Sequence, residues 1–243
     1  MILKKVTAVF VALTMTTLTA SALAATSNDG FDNGLGAWTH LGDVSVQADA
    51  FLGNSALLTT ASRGADDFPA VAGAFNFSGV AAVGSAEIEG SLGLATGVLD
   101  PDLDNFVFAS EGSVMYKTFS VLQGERLGFL WDFQTNESAS LQGGDYAFVS
   151  INGEITRLDD TSSELKVSNV FARQTWYGLF NHTFTSDGVV TVGFGVVDVG
   201  DSAVSSALLI DNVFIAAVPE PGMGLLMSLG LGVLGLAGIR RRK

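Results

Sequence analysis

Leu127, Phe129, Trp131 and Phe133 occupy every second position of one stretch, and Val190, Val192, Phe194 and Val196 do the same in another. Successive side chains of a strand point to opposite faces, so this period predicts strands with one apolar face. The run Tyr146–Ile151 is apolar at nearly every position and predicts a strand that is apolar on nearly both faces. Further strands are expected around residues 44–47, 56–60, 114–121, 176–184 and 207–215. Turn residues divide them: Gln123-Gly124-Glu125, Gln142-Gly143-Gly144-Asp145, Asn152-Gly153 and Ser186-Asp187-Gly188. Asn152-Gly153 has the composition of a two-residue hairpin turn, which needs positive φ at both positions. Residues 81–94 are ambiguous in period, and Gly84, Gly90 and Gly93 argue against a stable helix there. Many short strands with turns this frequent predict an all-β sandwich.

The two ends follow a different logic. Lys4 and Lys5 precede an apolar stretch over residues 6–20, and Ala22 and Ala24 frame a small-x-small site. That order of zones predicts a signal peptide over residues 1–24, removed by signal peptidase; an uncleaved anchor is the plain alternative. At the other end Pro219-Glu220-Pro221 leads into an uncharged apolar run over 222–239, followed by Arg240-Arg241-Arg242-Lys243. As a helix the run spans roughly 27 Å, close to the about 30 Å of a hydrocarbon core. Clustered basic residues stay on the cytoplasmic side, so everything before Pro219 is expected outside the cytoplasm. The prolines keep the segment before the helix extended. An ordinary tail anchor with an incidental tripeptide is the alternative here.

Residues 218–243, with tripeptide, apolar helix and arginine-rich end in that order, resemble the PEP-CTERM sorting signal of Gram-negative bacteria. The resemblance implies recognition of Pro219, Glu220, Pro221, Arg240, Arg241 and Arg242 by an exosortase, a membrane transpeptidase-like protease. It implies transient anchoring in the inner membrane, cleavage near the tripeptide, and release or attachment outside the cell. Within residues 25–217, Glu111-Gly112-Ser113, Gly124-Glu125-Arg126-Leu127, the stretch from Trp131 to Glu137, and Asp145-Tyr146-Ala147-Phe148-Val149 resemble a body domain recurrent among PEP-CTERM proteins. Gln134 departs from it, standing where an apolar residue is expected. Phe31-Asp32-Asn33-Gly34 with Trp38 at the opening, and the stretch Leu208 to Ile215 at the close, resemble carbohydrate-binding jelly rolls. Those imply first and last strands lying together, with ligand or metal sites at the ends of the sandwich. The combined expectation is an exported, non-catalytic envelope or extracellular-matrix protein associated with exopolysaccharide or biofilm. A calcium-assisted carbohydrate-binding module is the alternative, and a glycoside hydrolase the remote one.

Charge and composition narrow the chemistry. Between residues 25 and 217 the basic residues are Arg63, Lys117, Arg126, Arg157, Lys166 and Arg173, set against 24 acidic ones, since Glu220 is the chain's other acidic residue. Such a body repels nucleic acid and anionic surfaces and attracts divalent cations. The chain has no cysteine, which excludes disulfides, thiol nucleophiles and cysteine-ligated metals. Asp100, Asp102, Asp104 and Glu111 fall at positions 1, 3, 5 and 12 of a calcium-loop spacing, although Asn105 replaces its glycine. Asn136, Glu137 and Asp145 flank a loop between strands and suit a hard cation equally well. Asp198, Asp201 and Asp211 pose the same question near the closing strand. Each set has a bland reading, carboxylates and amides satisfying the backbone of a turn.

Trp38, Trp131, Trp176, Tyr116, Tyr146 and Tyr177 are candidates for stacking on sugar rings. Trp38, near an N-terminal loop, is the expected exposed one; Trp131 alternates with core residues, and at most one of Trp176 and Tyr177 is expected to face solvent. For catalysis, His40 and His182 lie in no motif, and Glu87 and Glu89 offer a carboxylate pair of no particular spacing. The sorting reading has a direct test. Replacing Pro219-Glu220-Pro221 by alanines is expected to leave the chain uncleaved in the membrane fraction; normal processing of that variant would refute it.

Overall fold

A computed structural model of the chain describes residues 27–49, 52–64, 70–138 and 144–217. Ala22, Ala24, Pro219, Glu220, Pro221, Arg240, Arg241, Arg242 and the apolar run 222–239 lie outside the described residues. Among the described residues no helix is long and apolar enough to cross a membrane.

In chain order the strands are β1 (Ser27–Asp29), β2 (Thr39–Leu41), β3 (Asp43–Asp49), β4 (Gly53–Thr59) and β5 (Val83–Gly84). A helix, α1 (Ser85–Leu92), precedes β6 (Ala109–Val121), β7 (Glu125–Thr135), β8 (Tyr146–Ile151) and β9 (Glu154–Asp160). The chain continues through β10 (Lys166–Val167), β11 (Arg173–Gln174), β12 (Gly178–Thr183), β13 (Gly188–Val199) and β14 (Ser206–Ala217). They form two antiparallel sheets. One has eight strands, ordered β10-β11-β7-β14-β4-β3, with β1 paired to β14 and β12 to β7. The other has six, ordered β2-β6-β13-β8-β9, with β5 on β6. The all-β sandwich expected from the sequence is the observed fold. First and last strands do lie together, Ser27 opposite Ile215 and Asp29 opposite Val213.

The main core lies between the sheets. Phe129, Phe133, Leu208, Ile210 and Leu58 come from the larger sheet, and Val192, Phe194, Val196, Val149 and Met115 from the smaller. Each set is every second residue of its strand, which is how alternation in sequence becomes one buried face. A second cluster, with Ile88, Leu92, Leu99, Tyr146, Phe148 and Val197, covers the outer face of the six-stranded sheet. β8 is therefore buried on both faces, as its near-continuous apolar run requires. A third, with Leu57, Phe171, Ala207 and Leu209 joined by Phe75 and Tyr177, covers the outer face of the eight-stranded sheet.

Local signals resolve in three ways. Asn152 and Gly153 have φ of 51° and 83°, the double left-handed geometry of a tight hairpin joining β8 to β9. Residues 81–94, where glycines argued against a helix, do contain one, α1. Gly84 and Gly93 lie at its ends: Gly84 is its extended N-cap, and Gly93 at φ 67° is its left-handed C-terminal stop. So short a helix is held by burying Ile88 and Leu92. The strand expected over 176–184 begins at Gly178 because Trp176 takes a left-handed φ of 71°.

The loop over residues 73–80 is fastened by one carboxylate. Asp43, fully buried, accepts from the Thr59 hydroxyl at 2.5 Å, the Phe77 amide at 3.0 Å and the Ser78 amide at 2.6 Å. Removing it strands those donors. Asp43→Ala is expected to lower unfolding free energy by roughly 2–4 kcal/mol in urea denaturation, where an unchanged midpoint would contradict the assigned role.

Candidate functional site

Two polar regions emerge from this framework. The first is the outer face of the eight-stranded sheet. β14 pairs with β7 so that Leu209 faces Asp132 and Ala207 faces Gln134, and with β4 so that Leu209 faces Leu57. Across one face the rows therefore run from apolar Leu57 and Leu209 to Asp132. Its carboxylate accepts from Gln134 Nε2 and from Thr175 Oγ1, both at 2.9 Å, and from the Trp176 amide. Burial raises the Asp132 pKa, with these bonds opposing. They also fix the turn that presents Trp176, 42% exposed, whose ring meets Tyr177 edge-on at 5.4 Å. Tyr177 packs on the third cluster and hydrogen-bonds to Asp49.

Farther along β14, a bulge follows Asp211, with Asn212 at φ 51°. Asn212 Nδ2 donates to Asp211 Oδ2 at 3.0 Å, while buried Asp211 Oδ1 has no hydrogen-bond partner. Burial, then the charges of Asp32 and Asp49, push its pKa up to about 6. The bare oxygen therefore lies among like charges, which strengthens its hold on a proton.

The second region is the end of the sandwich where β8 begins and β13 ends. Asp145 accepts from the Val199 amide at 3.0 Å and the Ser206 hydroxyl at 2.5 Å, and its side chain is hydrogen-bonded to that of Asp198. Burial pushes Asp145 up to about 6. Asp198 is raised well above its ordinary value by burial, then by the Asp145 charge. Glu137 rises to about 7 through burial, then through Asp145 and Asp201.

The expected sites map unevenly onto these regions. Glu137 and Asp145 come together, but Asn136 does not complete a metal set. Its Oδ1 accepts from the Ala172 amide at 2.9 Å. Asp198, only weakly indicated by sequence, is the carboxylate that meets Asp145. The calcium-loop spacing is a turn instead. Asp102 and Val107 bridge back to back, Asp102 accepts from the Asn105 side chain at 2.6 Å, Asp100 accepts from the Ala109 amide at 2.9 Å, and Asp104 is exposed. Among the described residues no three His, Cys, Asp or Glu side chains form a ready set of metal ligands.

Trp38 is not the exposed aromatic. It is 5% exposed, donates to Asp29 at 3.1 Å, and packs against Phe194 at 5.4 Å and Phe119 at 5.9 Å. Lys117 pairs with Asp29 at 2.6 Å and lies 5.6 Å over the Trp38 ring, closing that corner. Trp176 takes the exposed position, and its neighbour Tyr177 is half-buried. The left-handed backbone at Trp176, invisible in residue type, is why the two rings meet edge-on instead of pointing apart. His40 is exposed and His182 half-buried, and the two lie on different sheets. Glu89 is buried and accepts from the Leu99 amide at 3.1 Å, while Glu87 is exposed, so the two form no carboxylate pair.

Comparison with known proteins gives a family only for the tail. Residues 217–243 match the PEP-CTERM protein-sorting motif. That motif implies export, a membrane-anchored C-terminal segment before processing, and processing by an exosortase. No curated protein matches the chain. Among solved structures, the carbohydrate-binding module TmCBM61 in complex with β-1,4-galactotriose is similar at 10% identity and TM-score 0.38, over 76% of this chain and 92% of that one. The CBM22-1–GH10 modules of Clostridium thermocellum xylanase 10B, complexed with xylohexaose, are similar at 11% identity and TM-score 0.30, over 76% and 26%. At such scores these likenesses carry no argument about what the chain binds.

The raised carboxylates set a pH dependence. Their folded forms hold protons more tightly than the unfolded chain, so the stability these groups contribute is fully present in acid and declines as pH rises from about 4 through about 7. In EDTA, the melting temperature at pH 8 is expected to fall on the order of 5 °C below that at pH 5. A melt that instead rises with pH would contradict the burial assigned to these groups.

Proposed function

We propose that the chain is an exported, non-catalytic glycan-binding protein of the cell surface or extracellular matrix, working within exopolysaccharide or biofilm material. In this reading residues 1–24 are removed at Ala22 and Ala24 by signal peptidase, residues 25–217 are the working body, and residues 218–243 are handed to the exosortase.

The observation that carries the binding role is Trp176. A bulky residue at positive φ costs on the order of 1–3 kcal/mol and persists only where the surroundings enforce it. Here the enforcement comes from the Asp132 and Thr175 bonds to β7. The result is a half-exposed indole standing beside polar side chains of a rigid sheet. Sugar rings present apolar C–H faces to aromatic surfaces and hydroxyls to carboxylates and amides, so an aromatic ledge with polar neighbours suits them. The excess of acidic residues favours neutral polysaccharides over anionic ones.

The test is retention of the detergent-solubilised full chain on neutral glucans and galactans, with alginate as an anionic control. Trp176→Ala is expected to weaken binding roughly tenfold or more while the melting temperature moves little. Equal retention of wild type and variant on every glycan would overturn the reading.

A further inference from the structure

Buried carboxylates are handled differently in different parts of this fold. Asp43 is wholly enclosed and has donors on both of its oxygens. Asp198 is 2% exposed, is hydrogen-bonded to the Thr60 side chain and to a second buried carboxylate, and its Oδ1 has no partner. Like charges cannot both remain buried at such range without something between them or a proton on one.

Further charge surrounds the pair. Asp201 acts on Asp145, Glu111 on Asp198, and both Asp145 and Asp201 on Glu137. Arg173, which also acts on Glu137, directs Nε and Nη2 to the Glu137 backbone oxygen at 2.9 and 2.6 Å. A neutral oxygen waits in the same place. The fully buried Thr161 hydroxyl has no hydrogen-bond partner. A Cβ added to Gly144 would collide with that hydroxyl and lie 3.3 Å from Glu137 Oε2, so hydroxyl and carboxylate flank one point beside the glycine.

We infer that this end of the sandwich binds one divalent cation of the calcium class, with Asp198 and Glu137 as charged ligands and Thr161 as a neutral one. Asp145, whose oxygens are already taken by Val199 and Ser206, is a positioning residue. Calcium takes six to eight oxygens, and hydroxyls, backbone carbonyls and water count among them, so a third carboxylate is not required. Softer metals are disfavoured by an all-oxygen set. The site joins the end of β7 in one sheet to β8 and β13 in the other, so the ion would cross-link the sheets. It uses none of the residues of the proposed glycan face and stands or falls separately.

The experiment is calcium titration of the EDTA-treated full chain in detergent, by calorimetry and thermal melting, with magnesium as comparison. Wild type is expected to bind calcium saturably below millimolar concentration and to melt several degrees higher when loaded. Asp198→Asn is expected to lose this binding, Glu137→Gln to weaken it at least tenfold, and Asp102→Asn and Asp211→Asn to retain it. Should Asp198→Asn fail to fold, Glu137→Gln decides. Absence of saturable calcium binding in wild type, or wild-type affinity in Glu137→Gln, would overturn the assignment and leave a shared proton between Asp145 and Asp198.

Discussion

The structure depends on strands that are buried on both faces. β8 gives Ala147 and Val149 to the inter-sheet core and Tyr146 and Phe148 to the cluster beneath α1. β14 gives Leu208 and Ile210 inward and Ala207 and Leu209 outward. With no cysteine to cross-link the layers, apolar burial through these two strands ties the separate clusters into one body. The helix, the loop over 73–80 and the loop carrying Phe171 are secondary covers. Each exists because a strand beneath it exposes apolar side chains that need one.

Two-sided burial has an electrostatic consequence. In an acid-rich chain, strands that enter a core carry carboxylates with them. Asp43 and Asp132 are met by hydroxyls, amides and a glutamine, so their burial is structural and complete. Asp211 and Asp198 each keep an oxygen with no partner. Fold strength alone does not explain leaving such oxygens bare, because desolvating an unmatched carboxylate is costly. The contrast within one molecule separates acids whose oxygens are fully met from those left with a bare oxygen.

The same contrast separates the tryptophans. Local sequence favours Trp38, which follows Gly34 and Gly36 of an N-terminal loop, over Trp176 as the exposed ring. Trp38 is drawn inward because β2 lies against β6 and brings the ring over Phe194 and Phe119. Trp176 is held outward because the segment before β12 is bonded to β7 and the backbone turns left-handed there. Exposure was settled by strand pairing, which joins residues more than 40 positions apart.

Alternation along the chain determined the longer strands, their buried faces and the sandwich class, since a period of two is a property of neighbouring residues. Asn152-Gly153 determined its hairpin for the same local reason, and the PEP-CTERM tail was legible as a contiguous motif. The helix over 85–92 was not, because its stability comes from burying Ile88 and Leu92 against the six-stranded sheet at β6 and β13 instead of from its own propensity. Nor was the meeting of Asp145 with Asp198, or the escape of Asn136 from Glu137 toward Ala172. Those depend on which strand ends converge when two sheets close, and that is decided by long-range pairing and packing, which local residue chemistry does not encode one segment at a time.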